Sequence, residues 1–223
     1  MTSDNALDII NRISKKNQVD SNDLKILLQL SKHKEAEIRA YAAELLVLSK
    51  NNEAEKMLIN MCDDEDELVR VNACDSLCVF PSKSVYICLI NVVLNDDSTL
   101  VKTYAVLSII DIMGSVDIDI NKLKKILISN SDTKEINLRA ACYKGLYLLG
   151  EDKYLKELLK LIYSDNYAVR CAVLNMLEDI MTKNNKYKIL SSLKELQKTE
   201  DSIAVNSVIK RILKDNHCLN DIL

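Results

Sequence analysis

Apolar residues recur along the chain at the spacing of amphipathic helices, in segments that short polar turns separate. The first segment, residues 4–16, gathers its apolar residues on one side and predicts a single N-terminal helix. The remaining segments predict helices in consecutive pairs. The pairs cover 22–32 with 35–49, 53–62 with 66–80, 82–95 with 98–113, 119–130 with 134–149, 151–163 with 166–183, and 186–199 with 201–215.

One motif recurs in the second helix of each pair. An aliphatic residue is followed by arginine, then by a small residue three positions later and a second aliphatic residue four positions after that. The copies are 31 to 37 residues apart, which is the period of a two-helix repeat. The six copies begin at Ile38, Val69, Val101, Leu138, Val169 and Val205. In the second copy the predicted core stripe is Val69, Ala73, Leu77 and Phe80.

The second position of this motif selects arginine over lysine. The chain has six arginines against 24 lysines, yet four of the six arginines occupy this one position. They are Arg39, Arg70, Arg139 and Arg170. A planar guanidinium with five donors can bridge the turn between two helices and also reach the next repeat, which an ammonium does poorly. The pattern therefore predicts a repeated structural role for this side chain.

The motif resembles the HEAT repeat, and in particular the short variety found in phycobilin lyase-like proteins. The stretch from Asp64 through Val69-Arg70 to Leu77 carries the resemblance best, and the likeness extends over residues 21–215. It implies an all-α fold, a right-handed α-α superhelix of about six two-helix repeats behind an N-terminal cap helix in residues 1–20. Lys102 and Asn206 depart from the motif, and the latter fits a capping repeat. We expect one solenoid domain over residues 1–223, with 216–223 as a tail.

Composition and charge agree with helices and restrict the partners. The chain has only three glycines and one proline, whereas strands and irregular loops need both for their turns. A formal net charge of −3 argues against a nucleic-acid partner, because phosphate binding requires a basic surface. No apolar run approaches the roughly 20 residues that cross a bilayer. The first residues show no signal-peptide pattern, so we expect no membrane contact and a cytoplasmic location.

The histidines, acidic residues and cysteines of the chain do not have the spacing of a catalytic or metal-binding site. His33 falls in a predicted turn and His217 in the tail, so neither is placed as a catalytic base. The acidic run 63–67 leads into a helix, where capping accounts for it. The seven cysteines are expected to be reduced, mostly buried thiols; they are Cys62, Cys74, Cys78, Cys88, Cys142, Cys171 and Cys218. We expect no catalytic residues, no cofactor and no metal ion.

The second helix of each pair lines the concave side in HEAT repeats, so its outward positions form the candidate groove. Counting the first aliphatic residue of the motif as zero, positions 3, 6, 7 and 10 are predicted to face this groove. The residues selected for partner binding are Tyr41, Glu44, Asn72, Asp75, Tyr104, Asp111, Asn175 and Asp179. Lys144 is the only cation predicted on this surface. Tyrosines beside carboxylates favour a basic protein segment as the partner.

The sequence therefore predicts a non-catalytic protein-binding module, in one of two versions. One is a general adaptor or scaffold, and the other is an immunity protein that neutralises a cationic toxin in its acidic groove. Two enzyme classes also use helical repeats of this kind. HEAT-like DNA glycosylases use a basic surface with tryptophan, which this chain lacks. Phycobilin lyases need a chromophore pocket, which no residue here marks.

Overall fold

The computed structural model describes residues 2–16 and 18–217, so Cys218 and the remainder of the predicted tail lie outside the described residues. Thirteen α-helices and no strand occur within this part of the chain, which confirms the all-α class. Contacts between residues are concentrated within two compact units of the chain. Unit 1 is Met1–Asp119 and unit 2 is Ile120–Leu223.

Unit 1 consists of the N-terminal helix and three helical pairs. A short 3-10 turn extends the second helix in each of the first two pairs, at Val47–Ser49 and Leu77–Val79. The helices are α1 (Ser3–Lys16), α2 (Ser21–Leu30), α3 (Ala36–Leu46), α4 (Asn52–Met61), α5 (Glu67–Ser76), α6 (Lys83–Asn95) and α7 (Thr99–Ile112). Helix α5 packs between α3 and α7, so the second helices of the three pairs form one continuous layer.

Unit 2 consists of three further pairs. Its helices are α8 (Ile120–Ser131), α9 (Ile136–Leu148), α10 (Lys153–Lys160), α11 (Tyr167–Asp179), α12 (Lys186–Gln197) and α13 (Ile203–His217). Helix α11 packs against both α9 and α13, which repeats the layer of second helices seen in unit 1. Every predicted pair is confirmed, with ends that shift by a few residues. None of the described helices is both long and apolar enough to cross a membrane.

The predicted core and caps account for where the helices lie. Val69, Ala73 and Leu77 are fully buried and Phe80 is 5% exposed, which confirms the predicted core stripe. Asp66 begins α5 as its N-cap, because its carboxylate accepts hydrogen bonds from the amides of residues 68 and 69. The acidic run before α5 therefore satisfies amides that the first turn of a helix leaves unpaired.

Two buried polar residues fix parts of the fold that the motif does not cover. Asp23 is 1% exposed and accepts from Lys16 at 2.7 Å and Arg12 at 3.3 Å, which holds α1 against α2. Asn185 is 4% exposed and orders the turn before α12. Its side chain accepts from the Thr182 amide at 2.7 Å and donates to the Ile180 carbonyl at 2.8 Å.

Candidate functional site

The motif arginine connects consecutive repeats in a fixed geometry. The Arg39 guanidinium donates to both carboxylate oxygens of Asp64 in the next turn, from Nε at 2.8 Å and from Nη2 at 2.7 Å. Its Nη1 also donates to the His33 carbonyl in its own turn at 2.9 Å. The same arrangement joins Arg70 to Asp96 and Arg170 to Glu200. We call these three pairs the arginine ladder, and they confirm the predicted role of the guanidinium fork.

Two of the ladder carboxylates, Asp64 and Glu200, have a lowered pKa. The hydrogen bond from Arg170 lowers the pKa of Glu200, although burial opposes this change. Burial also acts to raise the pKa of Asp64, but the hydrogen bonds from Arg39 and from the Asp66 amide outweigh it and lower the pKa. Both acids are thus held in their charged form by the groups they join.

One position of the ladder lacks its carboxylate. Arg139 donates to the Thr133 carbonyl of its own turn at 3.4 Å, which matches the other arginines. The carboxylate that pairs with Arg39 is Asp64, which lies six positions before the next motif arginine, Arg70. The equivalent position for Arg139, six positions before Arg170, is Ser164. Within the described residues, Arg139 forms no ion pair. The step from this repeat to the next therefore lacks the arginine–carboxylate pair of the ladder.

The predicted binding residues of unit 1 lie together on the layer formed by α3, α5 and α7. Glu44, Asp75 and Asp111 are exposed, one on each of these helices. The pKa of Asp75 is raised, first because neighbouring atoms partly desolvate its carboxylate and then because Asp111 and Glu44 repel its charge. Three carboxylates from three successive repeats thus converge. We call Tyr41, Glu44, Asn72, Asp75, Tyr104 and Asp111 the acidic face.

The other members of the acidic face sit beside these carboxylates. Tyr41 is 37% exposed, and its hydroxyl donates to Glu37 at 3.4 Å. Tyr104 is half-buried on α7. Asn72 is half-buried and donates to the Ala40 carbonyl at 3.3 Å, so it also ties α5 to α3. The Cys78 thiol lies near the same charges, since burial followed by Asp111 and Asp75 raises its pKa to about 11.

The predicted binding residues of unit 2 are already engaged within their own unit. Asp179 accepts from Lys144 at 2.8 Å, and Lys144 is 7% exposed. Lys144 is therefore a buried link between α9 and α11 and does not present the exposed cation predicted from its position. Asn175 accepts from Arg211 at 2.9 Å, and the same guanidinium pairs with Glu178. The sequence interpretation missed Arg211, although it occupies position 6 of the last repeat.

Position 7 of the motif does not face a groove. Every residue there is buried. The second helices of neighbouring repeats within a unit pack against each other at this position. Ser108 shows the contact directly, since its hydroxyl donates to the Cys74 carbonyl of α5 at 2.7 Å. The residues at position 7 are Leu45, Ser76, Ser108, Gly145, Met176 and Ile212. Position 7 is therefore not part of the outward surface.

The six described cysteines are free thiols. Cys62 and Cys74 bring their sulfur atoms to 3.8 Å in the core of unit 1. Hydrogen bonding to Cys74 raises the pKa of Cys62, and burial raises the pKa of Cys142 to about 12. Among the described residues, no group of three or more His, Cys, Asp or Glu side chains is placed to hold a metal ion. The thiols therefore pack as small apolar side chains.

Comparisons with known proteins agree with this architecture. Residues 24–110 match the family described as HEAT repeats. A comparison with curated protein sequences finds no match.

Two solved structures share the fold at low sequence identity. A chain from the complex of CpcE and CpcF of phycocyanin lyase from Nostoc sp. PCC7120 is 18% identical, with a TM-score of 0.69, over 96% of this chain and 91% of that one. The Escherichia coli protein YibA is also 18% identical, with a TM-score of 0.57, over 96% of this chain and 79% of that one. These similarities confirm a HEAT-like solenoid fold.

Proposed function

Because residues 24–110 match the family described as HEAT repeats, and such repeats form interaction scaffolds, we propose that the chain is a non-catalytic protein-binding module. The acidic face of unit 1 binds a basic segment of another protein. The observation that carries this proposal is the convergence of Glu44, Asp75 and Asp111, which come from three successive repeats. Repulsion between them disfavours the free state, and a cationic partner relieves it.

The tyrosines of the acidic face add contact area for a partner to the electrostatic attraction of the carboxylates. Tyr41 is partly exposed next to Glu44, and Tyr104 lies on α7, the helix that carries Asp111. A tyrosine ring supplies a large contact area and loses little conformational freedom on binding. It also receives the alkyl stem or the charged head of a lysine or arginine. The face therefore suits an extended basic segment better than an isolated cation.

Reversal of the central charges tests this proposal. A short fluorescein-labelled peptide of alternating Lys and Gly serves as the probe, and fluorescence anisotropy measures its affinity at low salt. The variant with Glu44→Lys and Asp75→Lys is expected to weaken binding about tenfold or more, because each lost charge removes part of the electrostatic attraction. Raising the salt concentration is expected to weaken binding to the unmodified protein, since screening acts on exposed charges.

A matched control separates the acidic face from the overall charge of unit 1. Asp8 and Asp97 are exposed acids outside the acidic face, and Asp8→Lys with Asp97→Lys changes the net charge by the same amount. This control is expected to retain most of the affinity. Equal losses in the two variants, or unchanged binding by the Glu44 and Asp75 variant, overturn the proposal. An adaptor and an inhibitor of a cationic toxin would both use this face.

A further inference from the structure

The charges of the chain are divided unequally between its two units. Unit 1 contains 12 Lys and Arg against 20 Asp and Glu, whereas unit 2 contains 18 against 13. The basic excess of unit 2 is greatest around α12, where residues 183–198 hold five lysines and a single acid, Glu195. A chain with a net negative charge thus carries a locally basic surface, which the overall charge of −3 conceals.

A pocket of about 400 Å³ lies along α12 on this basic surface. Its lining comes from one side of the helix and the turn before it, together with Asn216 near the end of α13. The charged and aromatic members of the lining are Lys183, Lys186, Tyr187 and Lys194, and no carboxylate contributes to it. Pockets for small ligands usually measure roughly 300–1,000 Å³, so this one has room for a single ligand unit.

The lysines of the pocket are not neutralised by neighbouring acids. Lys186 donates to the Asn216 carbonyl at 2.9 Å, so its charge is fixed at the wall of the pocket. Lys183 and Lys194 are exposed and form no hydrogen bond or ion pair with any residue that the structure describes. Buried Asn185 orders the turn that carries Lys183, as described above. Two exposed cations therefore line the same pocket with their donors available.

The aromatic member of the pocket points to a ligand with a flat ring. Tyr187 is 86% exposed, which leaves both faces of its ring open. Leu190 adds a half-buried apolar contact one turn further along the helix. Lysine ammonium groups bind phosphate oxygens as point charges, and an exposed aromatic ring stacks on a nucleobase. Phosphate alone would use the lysines and leave Tyr187 without a role.

We propose that this pocket binds a nucleotide, with Lys183 and Lys194 on its phosphates and the Tyr187 ring stacked on its base. The nucleotide is either free or one unit of a single-stranded nucleic acid, since both present the same phosphate and base. This inference is independent of the acidic face of unit 1. It differs from the expectation, drawn from net charge alone, that the chain has no nucleic-acid partner.

Binding measurements with defined probes distinguish the two sources. Isothermal titration calorimetry with ATP tests the free nucleotide, and anisotropy with fluorescein-labelled oligo(dT) tests the single strand. Binding of either probe supports the proposal if Lys183→Gln with Lys194→Gln lowers its affinity about tenfold and Tyr187→Ala lowers it about as much. Tyr187→Phe is expected to bind as the unmodified protein does, because it keeps the stacking ring.

A variant of unit 1, a check of folding and competition by other polyanions serve as controls. Lys25→Gln with Lys56→Gln removes two exposed lysines from unit 1 and is expected to leave binding unchanged. The substituted side chains are exposed, so circular dichroism is expected to show the same thermal midpoint for every variant. The proposal is overturned if neither probe binds, or if the unit 1 control loses the same affinity. The proposal is also overturned by a second pair of results found together. In these, tripolyphosphate or polyglutamate displaces the probe as well as ATP does, and Tyr187→Ala leaves the affinity for the probe unchanged.

Discussion

The motif arginine performs two tasks with one side chain. In Arg39 the fork joins the carbonyl of its own turn to Asp64 of the next repeat, and the residue is only 7% exposed. Both partners need the planar arrangement of donors, because an ammonium on a flexible stem cannot reach two acceptors in one plane. This geometry explains why arginine occupies the motif position in a chain that otherwise prefers lysine.

A charge-conserving substitution tests the geometry of the ladder. Arg39→Lys keeps the positive charge but loses the two-oxygen contact with Asp64 and the bond to the His33 carbonyl. We expect the free energy of unfolding to fall by about 1–3 kcal/mol, since partly buried acceptors lose their donors. Urea denaturation followed by circular dichroism measures the change. Lys25→Arg at an exposed position is the control, and an Arg39→Lys variant as stable as this control would contradict the account.

The ladder position without a carboxylate, at Arg139, allows a substitution that is expected to increase stability. Ser164→Asp places a carboxylate where the other repeats have one, and it is expected to pair with Arg139. The expected gain in stability is about 1 kcal/mol, as a partly shielded ion pair with good geometry contributes. The midpoint of urea denaturation measures it. The same substitution in an Arg139→Gln background is expected to give no gain, and an equal gain in both backgrounds would refute the pairing.

At the scale of the helix, the sequence predicted the existence and pairing of all described elements because their apolar periodicity and turns are local signals. Val69, Ala73 and Leu77 occupy the core as predicted. The prediction failed at position 7, where Ser108 is buried against α5. Helical periodicity shows which residues lie on the same side of a helix. How many of them the neighbouring repeat buries depends on how closely that repeat packs, which the periodicity does not show.

Helices α3, α5 and α7 also bring like charges together, and this makes stability depend on pH. The pKa of Asp75 on α5 is raised by partial desolvation, then by Asp111 on α7 and Glu44 on α3. A raised pKa means that the folded state binds more protons than the unfolded state. The contribution of Asp75 to stability therefore decreases as the pH rises from its unfolded pKa through its folded pKa.

Asp75→Asn is accordingly expected to stabilise the protein near neutral pH. The stabilisation is expected to disappear below about pH 4, where the carboxyl is protonated in both the folded and the unfolded state. Urea denaturation midpoints of the variant and the unmodified protein across this range measure the difference. Asp8→Asn, on the exposed side of α1, is the matched control. A stabilisation that stays constant with pH would show that repulsion at Asp75 does not cause it.

At the scale of the whole molecule, the two units differ in charge as well as in the use of their candidate residues. In unit 1 Glu44, Asp75 and Asp111 are exposed on three neighbouring helices. In unit 2 Asp179 forms an ion pair with Lys144, and Asn175 accepts a hydrogen bond from Arg211. The sequence selected all of these residues by one positional rule. It could not separate them, because ion pairing between repeats depends on side-chain reach and on which neighbour occupies the facing position.

The central claim is that the acidic face of unit 1 receives a basic protein segment, and NMR spectroscopy tests it most directly. Amide chemical shifts of the isotope-labelled protein are followed while the Lys-Gly peptide is added at low salt. The account predicts that the largest shift changes occur on α3, α5 and α7 around Glu44, Asp75 and Asp111, and that they diminish as salt is added. Changes centred elsewhere on the chain, or no saturable change at low salt, would contradict it.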